Sequence, residues 1–259
     1  MLKLQNRTAL VTGGGRGIGR AIALAFARAG ARVAVTARTA AELQEVVAAA
    51  ADSGGQVAAL TADLSEPDAV RGLYREAKAI LGPIQIMVNN AGVGSSADPR
   101  PVVDFDDAFW ELTLRLNLTA PYLLSKAALP DMVQRRWGRI INVASINSKI
   151  ASLHAAAYTA SKHGLLGLTR AVALEVAAEG ITVNAICPGP VRTRMNDKRV
   201  EYDAKRRGVS FEEQAASMTP MRRRLEPEEI APLAVYLASD DAAMVTGQSI
   251  NVCGGILMG

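Results

Sequence analysis

Apolar positions along the chain fall into two alternating patterns. Short runs rich in Val, Ile, Leu and Ala occupy 8–11, 33–36, 57–60, 86–88, 139–143, 182–186 and 249–252. Between them lie longer stretches, 21–29, 40–51, 68–81, 107–136 and 157–178, that read as helix. The first pattern predicts strands and the second helices. Short β runs separated by helices predict βαβ units, and so a parallel sheet covered on both faces. The expected fold class is therefore α/β, a Rossmann-type doubly wound parallel sheet of about seven strands with helices on both sides.

No Pro/Ser-rich linker and no repeat divides the chain, so residues 1–259 are expected to form one dinucleotide-binding domain. The stretch 188–227 breaks the alternation, with no strand pattern and more Arg and Lys than Asp and Glu. It reads as one or two short helices with loops. Such an excursion in a compact domain is often a substrate lid, here expected at about 190–226; a solvated charged loop is the alternative.

Composition narrows the class. The chain has 259 residues, 49% hydrophobic and 21% charged, as packed globular proteins have. A net charge of +4 does not by itself imply a nucleic-acid partner, and none is expected. No run reaches the ~18 apolar residues of a membrane span. The opening MLKLQNR is polar and lacks the apolar centre of a secretion signal. The expectation is a cytoplasmic protein without a membrane partner. Cys187 and Cys253 read as buried reduced thiols, and His154 and His163 lack metal-site partners, so no metal is expected.

Candidate chemistry starts in TALVTGGGRGIGRAIALAF, which puts a strand, a glycine turn and a helix in sequence. Glycines let a backbone approach a pyrophosphate, and the helix amino end offers it free N–H groups. Gly13, Gly17 and Gly19 with Arg16 and Ile18 are the expected cradle. The second strand ends VAVTART, with Ala37 and Arg38 where an acid would bind the ribose 2′-hydroxyl of NAD. Arg38, aided by Arg16, can pair with a 2′-phosphate, so NADP(H) is expected to be preferred over NAD(H); a solvent-facing Arg38 is the alternative. In TADLS, Asp63 and Leu64 stand near the expected adenine, where Asp63 would either accept from its amino group or serve a turn.

Tyr158 and Lys162 in YTASK are four apart and share a helix face, with Cβ atoms ~5–6 Å apart. An ammonium there is expected to lower the phenol's pKa by about two units. Ser145 ends the strand of GRIINVAS and can donate to a substrate oxygen. Asn117 sits in LTLRLNLTAPYLL, a mid-helix position where a local backbone partner is usual.

These residues carry a resemblance. Thr12-Gly13-x-x-x-Gly17-x-Gly19, Asn89-Asn90-Ala91-Gly92, Asn117, Ser145, Tyr158-x-x-x-Lys162 and Pro188-Gly189 resemble, in order and spacing, the short-chain dehydrogenase/reductase family over essentially the whole chain. The resemblance implies an NAD(P)-dependent oxidoreductase acting on a ketone or secondary alcohol. It implies a tetrad in which Tyr158 is the acid/base and Ser145 polarises the carbonyl. Lys162 would tune Tyr158 and hold the nicotinamide ribose, and Asn117 would hold a water leading from Lys162 to solvent. Asn90, Ala91 and Gly92 would line the cofactor path, with Asn89 more structural. Pro188, Gly189, Val191 and Thr193 would border the nicotinamide. The family also assembles as tetramers through the helix of YTASK and its neighbour, so a homotetramer is expected; apolar residues around much of that helix agree.

Substrate is less legible. Val93, Ile146, Ile150, Leu153, Met195, Met218 and Met221 suggest a partly apolar carbonyl compound. The chain resembles both 3-hydroxybutyrate dehydrogenases and 3-oxoacyl-thioester or polyketide ketoreductases. Gly94, Asn147, Ala155 and Arg199 do not match the carboxylate-binding side chains of the first group. Arg206, Arg207 and Arg222 to Arg224 could meet CoA phosphates or an acyl carrier protein, or form a solvated basic face. Two other readings stand beside NADPH-dependent reduction: a catabolic secondary-alcohol dehydrogenase, and a non-catalytic dinucleotide-binding sensor.

Overall fold

The computed structural model describes residues 2–258. Its strands are β1 (Thr8–Thr12), β2 (Arg32–Ala37), β3 (Gln56–Thr61), β4 (Ile86–Asn89), β5 (Gly138–Val143), β6 (Ile181–Pro188) and β7 (Ser249–Val252). They form one sheet of order β3-β2-β1-β4-β5-β6-β7, with every neighbouring pair parallel. The Rossmann-type expectation holds.

Alternation along the strands explains why they read as unbroken apolar runs. Ala9 and Val11, Val33 and Val35, Ile86 and Val88, and Ile141 and Val143 face one core. Leu10, Ala34, Met87 and Ile140 face the other. A parallel strand buried on both sides must be apolar at every position. The first core is closed by α1 (Gly17–Arg28), α2 (Ala40–Ala51) and α9 (Ala231–Ala238) through Phe26, Leu43 and Leu237. The second is closed by α3 (Pro67–Leu81), α5 (Ala120–Arg135) and α6 (Ala156–Val176) through Leu73, Leu124 and Val176. Among the described residues, no helix is long and apolar enough to cross a membrane.

Two elements depart from the sequence reading. The helix expected over 107–136 is divided into α4 (Asp107–Leu114), a π-helical turn over Arg115–Thr119, and α5. Pro121 supplies the reason: it has no N–H to give the Asn117 carbonyl four residues back. The ladder widens instead, and Ala120 N–H reaches the Arg115 carbonyl. The second departure is α9, whose short run APLAVYLA is apolar on all sides and shows no helical period. Between β6 and α9 lie α7 (Arg194–Arg207) and α8 (Phe211–Ser217), joined by loops.

The strand order reverses beside β1, which has β2 on one side and β4 on the other. In open α/β sheets the carboxyl edge at such a point is a crevice suited to ligands. The glycine turn, the Asn89–Gly92 segment and Ser145 all follow carboxyl ends of the central strands.

Candidate active site

The glycine turn is shaped by close approach. Gly17 has φ +54°, and a Cβ on Gly19 would lie 2.2 Å from the Gly13 carbonyl oxygen. Asn90 clamps the turn from below, donating from Nδ2 to the carbonyls of Thr12 at 2.9 Å and Gly13 at 3.2 Å. Thr12 Oγ1 in turn accepts from the N–H groups of Asn90 and Ala91. Asn90 is therefore as structural as Asn89, which donates to Asn142 within the buried sheet. Helix α1 begins without a side-chain cap and without an acidic residue in its first turn. A backbone stripped of Cβ atoms at an uncapped helix start fits the pyrophosphate of a dinucleotide. Ile18 packs partly into the first core, and Leu64 is buried in the second.

Around this cradle stand the charges expected to read the ribose. Arg38 is 72% exposed and its Nη1 lies 4.0 Å from Asp63 Oδ2. Asp63 Oδ1 accepts from both the N–H and the hydroxyl of Ser65, so its turn role is realised. Those bonds, with Arg38 beyond them, hold its carboxyl below the usual range. Arg16 pairs with Glu42 at 3.0 Å, a partner the sequence reading missed because Glu42 lies one helical turn beyond the strand end.

The reacting groups come together at the carboxyl end of β5. Ser145 Oγ accepts from Asn147 N–H at 3.1 Å, and its hydroxyl is hydrogen-bonded to Tyr158 on α6. Lys162 is 6% exposed and donates from Nζ to the Val143 carbonyl at 2.8 Å. Its Nζ stands 5.8 Å from the centre of the Tyr158 ring. Burial draws the Lys162 ammonium down to about 8. Burial also raises the Tyr158 phenol, and the Ser145 hydrogen bond only opposes this.

The lowered phenol expected from the helical spacing is thus corrected. Both groups pay desolvation, and Lys162 sheds its proton before Tyr158 does, so no ammonium remains to favour the phenolate. Cys187 is fully buried close by, and burial pushes its thiol up; the Lys149, Lys162 and Arg170 charges oppose that shift.

Asn117 sits in the π-turn with its side chain fully engaged. Oδ1 accepts from Val93 N–H at 2.9 Å, and Nδ2 donates to the Val93 carbonyl at 3.0 Å and to Ser161 Oγ at 3.1 Å. Ser161 in turn donates to the Tyr158 carbonyl, tying the turn to α6. A Cβ on Gly92 would lie 2.5 Å from Asn117 Oδ1.

Helix α7 covers this edge, and α8 packs on α7. Thr193 caps α7, and a Cβ on Gly17 would lie 3.1 Å from its Cγ2. A Cβ on Gly189 would meet Cys253, and Val191 bridges to Leu225. Met195 fills the space over Gly94 yet stays exposed, as do Leu153 and Met221. His154 Nδ1 and the Tyr202 hydroxyl share a hydrogen bond, and Arg199 donates to the Leu153 carbonyl. These contacts join α7 to the loop preceding Tyr158. Arg199 is paired through two bonds with Asp203.

The basic side chains expected to meet a carrier are mostly satisfied internally. Arg206 pairs with Asp203, Arg223 with Glu229 and Arg224 with Asp197. Arg207 donates to Gln214 and Ser217.

The chain is similar over nearly its whole length to known oxidoreductases. The family described as enoyl-(acyl carrier protein) reductase matches residues 13–257. A D-beta-hydroxybutyrate dehydrogenase of Cupriavidus necator is 39% identical over 256 residues, 97% of this chain and 98% of that protein. The 3-oxoacyl-[acyl-carrier-protein] reductase FabG of Pseudomonas aeruginosa is 39% identical over 257 residues, 99% of this chain and all (100%) of the relative. A crystal structure of a variant actinorhodin polyketide ketoreductase with NADPH superposes with a TM-score of 0.92 at 36% identity, covering 96% of this chain and 97% of the other.

Proposed function

The chain belongs to the short-chain dehydrogenase/reductase family, and from that premise we propose that this NAD(P)-dependent oxidoreductase is an NADPH-preferring reductase of partly apolar ketones, 3-oxoacyl thioesters among them. As a member of an enzyme family it is not the non-catalytic sensor that the sequence left open. One observation carries the chemistry: Tyr158 and the buried Lys162 share one face of α6 beside Ser145 at the carboxyl end of β5, where a phenol proton can be given to a carbonyl oxygen.

A bound NADPH would supply the hydride to the carbonyl carbon. The chain's own residues do the rest. Ser145 donates a hydrogen bond to the carbonyl oxygen and polarises it. Tyr158 gives its O–H proton to that oxygen, and the C=O becomes CH–OH. Lys162, poised near 8, returns a proton to Tyr158 and holds the nicotinamide ribose. Asn117 positions this relay: Pro121 denies its carbonyl the usual N–H four residues on, and that carbonyl would accept from a relay water. Gly13, Arg16, Gly17, Ile18 and Gly19 form the proposed cradle. Arg38 reads the 2′-phosphate, and Asp63 and Leu64 face the adenine. Asn90, Ala91, Gly92, Pro188, Gly189, Val191 and Thr193 line the remaining cofactor path. Residues 190–226 act as the lid within one domain, and the working protein is a cytoplasmic homotetramer.

The identity to a D-beta-hydroxybutyrate dehydrogenase favours a second reading, oxidation of a small hydroxy acid. That substrate calls for a cation aimed at its carboxylate, and Arg199 is tied instead to Asp203 and the Leu153 carbonyl. The ketone reading is therefore preferred. Its test is a carbonyl and alcohol panel assayed with each nicotinamide cofactor. Ketone reduction should be at least tenfold better in kcat/KM with NADPH than with NADH, and Tyr158→Phe should lower kcat by about a thousandfold. Near-normal turnover by Tyr158→Phe, or a tenfold advantage for NADH, would overturn the proposal.

A further inference from the structure

No acid ends β2, but the Glu42 carboxylate of α2 stands beside the glycine turn. A Cβ on Gly15 would lie 3.1 Å from Glu42 Cβ and 3.4 Å from Ala37 Cβ, so Glu42 leans over the glycine turn beside the strand end. Its Oε1 takes Arg16 at 3.0 Å and Arg194, the first residue of α7, at 3.4 Å. Glu42 is only 21% exposed at its side chain, whereas Arg16 and Arg194 are 58% and 76% exposed. The carboxylate is the fixed centre of this cluster, and the arginines reach to it. Arg38 is held far more loosely, by Asp63 at 4.0 Å.

We infer that Glu42 is a specificity-determining residue for the cofactor: it occupies the glycine-turn arginine and so holds back a 2′-phosphorylated dinucleotide relative to an unphosphorylated one. The inference rests on the reading of the glycine turn as the dinucleotide cradle. A 2′-phosphate beside Arg38 meets two opposing effects. Arg38 attracts it, while the Glu42 carboxylate repels it and competes with it for Arg16. An uncharged 2′-hydroxyl feels neither strongly. Glu42 thus narrows the preference that Arg38 creates, and through Arg194 it ties the start of α7 to the same corner.

The test is equilibrium binding of NADP+ and NAD+, followed by protein fluorescence, with turnover not required. Wild type, Glu42→Gln and a control on the same helix, Glu45→Gln, are compared, with melting temperatures to establish folding. Glu42→Gln should tighten NADP+ about three- to tenfold and change NAD+ less than twofold. Glu45→Gln should move the ratio of the two less than twofold, since Glu45 is exposed and not in the cluster. A folded Glu42→Gln protein whose ratio is unchanged, or shifts toward NAD+, overturns the inference; so does an equal shift in Glu45→Gln. A wild type that binds NAD+ more tightly, yet shifts toward NADP+ in Glu42→Gln, refutes the NADPH preference and leaves the role of Glu42 standing.

Discussion

Lys162 keeps an ammonium in a nearly closed site, and that has a measurable consequence for stability. Its folded pKa, about 8, lies below the ordinary lysine value of 10.5, so the unfolded chain binds more protons between these values. Stability from this group is present above 10.5 and is lost as the pH falls through about 8. At pH 7 the full penalty applies, on the order of 3 kcal/mol, partly offset by the bond to Val143. Lys162→Met should therefore abolish reduction while the stability difference, variant minus wild type, falls by roughly 2–3 kcal/mol between pH 7 and 10. Denaturant titrations at several pH values check this; a pH-independent difference would contradict it. Tyr158 gives a second prediction with its own sign. Its phenol is raised, so the phenolate that alcohol oxidation needs grows with pH, while the protonated form that reduction needs persists. Oxidative kcat/KM should keep rising above pH 9, and reductive kcat/KM should stay level from pH 6 to 7 and fall as Lys162 loses its proton near 8. The sequence put Tyr158 and Lys162 on one face correctly, but the direction of the phenol's shift depends on burial, which spacing does not encode.

At the scale of elements, the π-turn is what brings Asn117 against Val93 and Gly92. Gly92 is required there because any Cβ would stand 2.5 Å from Asn117 Oδ1. Gly92→Ala should cost about 1–3 kcal/mol and lower kcat/KM by at least tenfold. Asn117→Ala removes the clash, so the double variant should recover part of the stability, with a coupling of about 0.5–3 kcal/mol. Strict additivity in that cycle would show that the contact does not matter. The glycine turn, the Asn89–Gly92 segment and Ser145 were readable because they sit at strand ends, and Tyr158 with Lys162 because of their four-residue helical spacing. The turn itself had a signal that went unread, since Pro121 lies four residues beyond Asn117 and denies it a helical partner. Helix α9 had no such signal: buried on its inner side against β5 and partly covered elsewhere, APLAVYLA lacks the polar face that marks a surface helix. The pairing of Glu42 with Arg16 was out of reach for another reason. It joins residues 26 apart in sequence across two βα units, and only the pairing of β1 with β2 brings them together.

For the whole molecule, α6 links chemistry to assembly. One side of it carries Lys162, Ser161 and Leu165 inward. The opposite side exposes Ala160, His163, Gly167, Ala171 and Leu174, spaced three or four apart along the helix. Gly167 has open space where a Cβ would stand, and Leu174 is 84% exposed. A stripe of mostly small residues, broken only by His163 and ending in a bare leucine, is well suited to close packing of a second helix. The expected tetramer would use this stripe, and its formation would stiffen the helix that holds Tyr158 and Lys162. Light scattering at micromolar protein should give four times the chain mass, and the melting temperature should rise with protein concentration, as it must when folding is linked to association. Leu174→Glu should shift the assembly to smaller species and remove most of that concentration dependence. It should lower kcat less than the Tyr158 substitution does, because the reacting groups stay within one chain. A wild-type monomer with a concentration-independent melting temperature would leave the stripe without an assembly role, and the catalytic assignments would then have to stand on the single chain.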